Sequence, residues 1–453
     1  MGREVVLYLT LLSLLGHPFV STAPIQNRLQ SVLVPTFGKF WHISDLHLDP
    51  TYHITDDHTK VCFSSKGYPA SDPGLFGDFM CDSPYKLIQS AFQFMRELEP
   101  LPDFIIWTGD SPPHVPAEKL STDLVIHIIT NMTYTIREFF PDLPVYPALG
   151  NHDYWPQDQF PIATNEIYLA VAKLWEPWLK SEALTTLRKG GYYSQVIGPS
   201  LRLVSLNTNL YYSPNKVTVN MTDPAGQFEW LVDTLENCRQ SDEKAYVIAH
   251  VPIGYLPYAT GTTAIREAHN ERLVEIFRIY SDVVAGHFYG HTHRDSIMVL
   301  LDHTGQPVNS LFVTPAITPI KHVEEPYSNN PGLRMYLYDP QDYSLLDIWQ
   351  YYMNLTEANM EEKPGWKLEY KMTEDFNIKD IQPQSLYELA VSFGIPQSKT
   401  FHKYFTHFMV SYNETIVCEG SCQMTQVCSV LFLDHKSYFN CIEKWIESMK
   451  TLF

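Results

Sequence analysis

Positive charge is what this sequence has least of. Its 32 Lys and Arg stand against 51 Asp and Glu, for a formal charge of −19 and a pI near 5.3. A polyanionic backbone is held by clustered cations, so a nucleic-acid partner is not expected, and any small anionic ligand must be drawn in by something locally positive. Long apolar runs are missing too. The one candidate, from Val5 to Leu15, is shorter than the roughly 20 residues of a spanning helix. With Arg3 before it and Ser21-Thr22-Ala23 after it, the run reads as a secretory leader, residues 1–23, followed by a linker at 24–37. The last residues, Glu447 to Phe453, lack the hydrophobic tail of a lipid-anchor signal. A secreted, monomeric protein with no stable membrane anchor is the expectation.

Cysteine is sparse, seven in 453 residues, and never occurs as a paired C-x-x-C. A structural zinc knuckle is therefore disfavoured, and disulfides fit better in an oxidising compartment. Spacing suggests Cys62 with Cys81 and a second cluster of Cys418, Cys422, Cys428 and Cys441, leaving Cys238 over. Four sequons, at Asn131, Asn220, Asn354 and Asn413, agree with passage through the secretory pathway.

Apolar residues make up 45% of the chain and aromatics 13%, enough for one large domain with a smaller appendage. Short β-branched or aromatic runs (40–44, 104–108, 245–249, 282–285) each end at His, Asp, Asn or Gly, and helix-compatible stretches (84–98, 122–140, 227–238, 264–280) separate them. That alternation predicts an α/β layered fold with its site at strand ends, where loops converge. A hairpin is expected over 333–352, turning at 339–342, then an extended run at 366–372 and helices at 384–393, 398–412 and 423–449. The expected division is a catalytic domain at 38–352 and a mostly helical, disulfide-pinned subdomain at 353–453.

Five separated segments carry metal-binding chemistry: Asp45-x-His47, Gly109-Asp110, Gly150-Asn151-His152, His250, and Gly290-His291-x-His293. A spacing of two puts both side chains on one face of an extended strand end, as chelation of one ion requires. A lone His is more often structural than ligating, but five such blocks, each following a strand-like run, point to a metal centre. A carboxylate shared between two cations would clamp the attacking and leaving oxygens of an in-line displacement, and a water held by both would be the nucleophile. The cations would also supply the positive charge that the acidic surface withholds.

In this order the blocks resemble the calcineurin-like metallophosphoesterases: D-x-H, G-D, G-N-H, H and G-H-x-H, over roughly residues 40–295. The resemblance implies a layered β-sandwich flanked by helices. It implies that Asp45, His47, Asp110 and His293 hold one ion and Asp110, Asn151, His250 and His291 the other, with Asp110 bridging. Beside these blocks, His114, held by the stiff Pro112-Pro113 turn, and His152, next to a ligand, are expected to protonate the leaving group or stabilise transition-state oxygens. The Tyr that binds ferric iron in purple acid phosphatases is here Pro113, so two zinc ions are expected, and the substrate-binding Arg of the phosphoprotein phosphatases is missing.

The runs Trp41 to Tyr52, Trp107 to His114 and Phe288 to His293 resemble acid sphingomyelinase and its phosphodiesterase relatives through nearly the whole mature chain. That resemblance implies the bridges Cys418 with Cys422 and Cys428 with Cys441, and admits the lysosome as a second destination. The stretch before Phe40 is too short for the saposin domain that acid sphingomyelinase uses to extract lipid. The implied substrates are therefore soluble phosphodiesters and pyrophosphates: nucleoside triphosphates, CDP-choline and cyclic dinucleotides. A lipid phosphodiesterase for sphingomyelin-like head groups and a non-catalytic binding protein are the alternatives. Tyr255, in the loop after His250, either stacks on a nucleobase or packs on the sheet.

Overall fold

The computed structural model describes residues 37–99, 101–321 and 327–450. The expected leader, and all of the linker but Phe37, lie outside the described residues. Strands among them are β1 (Gly38–Ile43), β2 (Phe104–Trp107), β3 (Val145–Pro147), β4 (Tyr193–Gly198), β5 (Leu201–Ser205), β6 (Lys244–Ile248), β7 (Val284–Tyr289), β8 (Ser296–Leu301), β9 (Pro307–Val313), β10 (Gly332–Tyr338), β11 (Leu345–Met353) and β12 (Trp366–Lys371). Helices are α1 (Tyr85–Leu98), α2 (Thr122–Phe139), α3 (Glu166–Leu174), α4 (Ser181–Gly190), α5 (Gln227–Gln240), α6 (Glu267–Ile279), α7 (Leu355–Glu361), α8 (Met372–Phe376), α9 (Pro383–Phe393), α10 (Lys399–Phe408), α11 (Ser421–Leu431) and α12 (His435–Lys450).

Two six-stranded sheets form, ordered β12-β11-β10-β1-β2-β3 and β4-β5-β6-β7-β9-β8. Within them β1, β2 and β3 run parallel, as do β5, β6, β7 and β9. All four residues of β2 are buried, the near-continuous apolar signature of a parallel strand covered on both faces. Aromatic side chains close the space between the sheets. Phe40 of β1 meets Phe288 of β7 edge-on at 5.4 Å, and Phe288 meets Tyr336 of β10 at 4.9 Å. Contacts of this geometry add roughly 1 kcal/mol each beyond their burial, and they fix the sheets' strand ends relative to each other.

The flanking helices start where the sequence supplies caps. Ser121 accepts from the Leu124 N–H at the start of α2, and Asn165 accepts from Ile167 and Tyr168 N–H at the start of α3. The boundary expected at residue 352 falls inside β11, and β12 beyond it is the edge strand of the first sheet. The C-terminal helices are thus covalently continuous with a strand that belongs to the catalytic sheet. The single helical pattern expected over 423–449 is two helices. They part at Phe432–Asp434, where the Leu433 carbonyl accepts from Asn270 and Asp434 pairs with Arg278 at 2.6 Å. Disulfides join Cys62 to Cys81, Cys418 to Cys422 and Cys428 to Cys441. Cys238 is a free buried thiol whose pKa burial pushes up to about 11.

Candidate metal centre

Every block singled out in the sequence sits at the carboxyl end of a parallel strand: Asp45 and His47 after β1, Asp110 after β2, Asn151 after β3, His250 after β6, His291 and His293 after β7. The loops there are sharply bent. Asp45, His47, Asp110, His291 and His293 all take positive φ, between +36° and +73°. Non-glycine residues seldom adopt that region, and such strain persists where the surroundings over-determine it, commonly at functional sites. Gly150 is required by close approach, since a Cβ there would overlap the Asp110 carboxylate.

The side chains converge. His47 Nε2 lies 3.4 Å from Asp110 Oδ2 and 3.7 Å from Asp45 Oδ1, His250 Nε2 lies 3.1 Å from Asp110 Oδ2, and His293 Nε2 lies 3.5 Å from Asp45 Oδ1. The Asn151 side-chain oxygen is 3.0 Å from both His250 Nε2 and His291 Nδ1. Backbone carbonyls fix the ring orientation: Pro112 O takes His47 Nδ1 at 2.7 Å and Thr108 O takes His250 Nδ1 at 2.6 Å, so Nε2 of each ring faces the centre. His47 Nε2 is buried without a hydrogen-bond partner. Four imidazoles, two carboxylates and an amide oxygen meeting in this way fit a pair of divalent transition-metal ions, and the orphaned nitrogen fits a metal ligand.

Electrostatics agree. Burial works to raise the Asp45 and Asp110 carboxyls, but His250 and the neighbouring imidazoles outweigh it and hold both well below the usual carboxylate range. Burial works the other way on His47 and His250, yet the carboxylates facing them raise each to about 9. His291 is pushed down to about 3 by burial and by His250. Asp153, two residues past Asn151, accepts from the backbone N–H of Asp110, Ser111 and Gly150 and so clamps the loop after β2 to the loop after β3.

His114 and His152 stand beside the candidate ligands, their ring centroids 4.3 Å apart and 4.1 and 4.8 Å from that of His47. Burial, and then His114, push His152 well below the usual imidazole range. Its Nε2 meets the Gln157 amide nitrogen at 3.2 Å and its Nδ1 is without a partner. Sequence reasoning missed Asp82. Fully buried, it accepts from the His114 backbone N–H at 2.6 Å, from His114 Nδ1 at 3.1 Å and from Thr318 Oγ1 at 3.0 Å. That bond places the Nδ1 proton on the Asp82 side. No motif signals the residue; its neighbour Cys81 carries the only hint, since the disulfide to Cys62 pins this loop.

The candidate ligands open onto a cleft of about 780 Å³ whose lining also draws on residues 257–260, α10 and α11. Tyr255 is not part of it. The ring is buried and stacked on Tyr438 at 3.8 Å, 6° from parallel, so neither face can take a base, and the partner is the C-terminal helix α12 rather than the sheet. Tyr258, three residues on and more than half exposed, lines the cleft instead. Of the sequon residues, Asn220 and Asn413 are exposed, Asn354 caps α7 and Asn131 is half-buried on α2.

Comparison with known proteins comes down on the same chemistry. A family model described as calcineurin-like phosphoesterase matches residues 38–295, and one described as the acid sphingomyelin phosphodiesterase C-terminal region matches residues 306–448. The chain is 61% identical over 412 residues to a Homo sapiens protein named cyclic GMP-AMP phosphodiesterase SMPDL3A, covering 90% of this chain and 91% of that one. It is 42% identical over 411 residues to the human acid sphingomyelinase-like phosphodiesterase 3b, covering 89% and 90%. A sphingomyelin phosphodiesterase A of Dictyostelium discoideum is 30% identical over 421 residues, covering 90% of this chain and 68% of that protein.

Proposed function

Because the chain belongs to the calcineurin-like phosphoesterases, in their acid sphingomyelinase-like branch, and is accordingly a phosphoric diester hydrolase, we propose that it is a secreted two-zinc enzyme for soluble phosphodiesters and pyrophosphates. Nucleoside triphosphates, CDP-choline and cyclic dinucleotides, cyclic GMP-AMP among them, are the proposed substrates. The observation that carries this reading is the convergence of seven nitrogen and oxygen donors at the head of a cleft built for more than a phosphate.

Asp45, His47, Asp110 and His293 would hold one ion, and Asp110, Asn151, His250 and His291 the other. When bound, the pair supplies Lewis acidity and charge neutralisation for an in-line displacement at phosphorus. The chain's own groups do the rest. His152, kept neutral by its burial, offers an N–H to a non-bridging phosphoryl oxygen. His114, oriented through Nδ1 by Asp82, presents Nε2 to the leaving oxygen and delivers its proton there. The wall contributed by α10 and α11 makes the region 353–453 part of the substrate site. The disulfides, the sequons, and the lack among the described residues of any helix long and apolar enough to cross a membrane support secretion, with the lysosome as the other destination.

The test is product release by purified, zinc-loaded protein on ATP, CDP-choline, cyclic GMP-AMP and dispersed sphingomyelin, at pH 5 and pH 7. Turnover of the soluble substrates is expected. Turnover of sphingomyelin alone would replace this reading by the lipid phosphodiesterase.

A further inference from the structure

Beyond Asn151 the chain crosses to α3 through a segment without regular structure, and that segment is anchored from outside the centre. Gln159 Nε2 donates to the Pro214 carbonyl at 3.0 Å, and the Gln159 side-chain oxygen accepts from the Lys216 N–H at 3.0 Å. Asn215 Nδ2 donates to the Phe160 carbonyl at 3.0 Å, and the Phe160 ring is fully buried. Residues 159 and 160 are therefore fixed points, and whatever precedes them is held in place.

Asp158 is the residue so held. Its backbone lies in the left-handed region, at φ +67°. Its N–H donates to the Asn151 carbonyl at 3.1 Å, and its Oδ1 accepts from Asn151 Nδ2 at 2.8 Å. Asn151 is thus gripped at both its backbone and its side chain. The second grip decides an orientation that shape alone leaves open. An amide has two ends of nearly equal size and opposite chemistry: the oxygen has lone pairs to give a cation, and the NH2 has none. An ionised carboxylate only accepts, so Asp158 takes the NH2. The oxygen is left turned to His250 Nε2 and His291 Nδ1, 3.0 Å from each. With the amide reversed, an NH2 would face the centre and two oxygens would oppose each other at Asp158, leaving acceptors unpaired where desolvation makes that unfavourable.

We propose that Asp158 is a positioning residue for the ion assigned to Asp110, Asn151, His250 and His291: it fixes the Asn151 amide with its oxygen toward the ion, and the anchored residues 159 and 160 fix Asp158. This rests on the two-metal reading above and goes beyond it, since Asp158 belongs to neither set of candidate ligands. Groups that hold a metal ligand from behind typically carry about 10- to 100-fold of metal affinity.

The test is zinc binding by the metal-free chain, read by chelator competition, with melting temperatures of the metal-free variants to verify folding. Asp158→Gly removes the acceptor and suits the positive φ. Asn151→Ala identifies which binding step uses the amide. That step is expected to weaken about 10- to 100-fold in Asp158→Gly, while the other ion is held as in the wild type. Asp158→Asn keeps an oxygen for the Asn151 N–H and is expected to fall between Asp158→Gly and wild type. In an Asn151→Ala background there is no amide to orient, so Asp158→Gly is expected to cost no further zinc affinity, whereas a merely structural role would persist. Should Asp158→Gly fail to fold, Asp158→Ala carries the same expectations. Unchanged binding of both ions, an equal loss for both, or a full additional loss in the Asn151→Ala background would each overturn the assignment. A wild-type chain that takes up fewer than two zinc ions would instead sink the two-metal reading, and the assignment with it.

Discussion

Asp82→Asn separates proton delivery from metal binding. The Asp82 carboxylate receives three hydrogen bonds around His114, one of them at 2.6 Å from its backbone N–H. An Asn oxygen that keeps the bonds from Thr318 and His114 Nδ1 turns its NH2 toward that backbone N–H, donor against donor. Losing one charge-assisted bond in a fully buried setting costs roughly 2 kcal/mol of stability. It also removes the carboxylate that holds the His114 ring in place, and loss of a positioned general acid lowers rate by about 10²-fold. The effect should depend on the leaving group. An alkoxide from a ribose or glycerol ester needs the proton and should show the full loss in kcat. p-Nitrophenolate leaves without it and should show little. The assay is kcat for a matched alkyl and p-nitrophenyl pair at several pH values, with zinc content measured on the same samples. Equal losses for both leaving groups, or a drop in zinc content, would mean that Asp82 supports the metal loops and not the proton, and the reasoning would fail.

Other consequences are as specific. His407 of α10 bridges Glu369 at 3.2 Å and Asp375 at 2.8 Å, and against its burial these carboxylates raise it to about 9. A raised imidazole adds stability that is full below pH 6.5 and is lost as pH climbs through 9. Melting of His407→Gln against wild type should therefore show a deficit of up to roughly 3 kcal/mol at pH 5.5 to 6 that fades by pH 9.5; a pH-independent deficit would contradict the ion pairs. Tyr255→Ala should cost about 3 kcal/mol by denaturant titration while kcat per folded molecule is retained, because the ring stacks on Tyr438 and not on substrate. Tyr258→Ala should do the converse, changing KM with a melting temperature near wild type. Finally, since His47 and His250 are raised to about 9 in the metal-free chain, zinc uptake at pH 7 should release protons, and zinc affinity by chelator competition should rise with pH up to about 9. A flat profile would count against both as ligands.

Much of the convergence of the candidate ligands was legible because they travel with their own local grammar. Asp45-x-His47 and His291-x-His293 pair donors at strand spacing, and each block follows a run apolar enough to be a buried parallel strand. Asp82 was not legible, since its link to His114 is made in space by a loop that a disulfide holds down. Tyr255 misled because Pro252 to Tyr258 reads as an exposed loop, while the ring that covers Tyr255 comes from α12, far along the chain. The hairpin of β8 and β9 escaped because a short apolar run such as Ile297 to Leu301 fits strand and buried helix alike.

The measurement that bears most directly on the central claim is turnover of cyclic GMP-AMP by metal-free protein as zinc is added back, alongside Asp110→Asn. The two-metal account predicts activity that climbs to a plateau at two equivalents of zinc per chain and is absent from the variant at every ratio. A plateau at one equivalent, activity independent of zinc, or an active Asp110→Asn would contradict it.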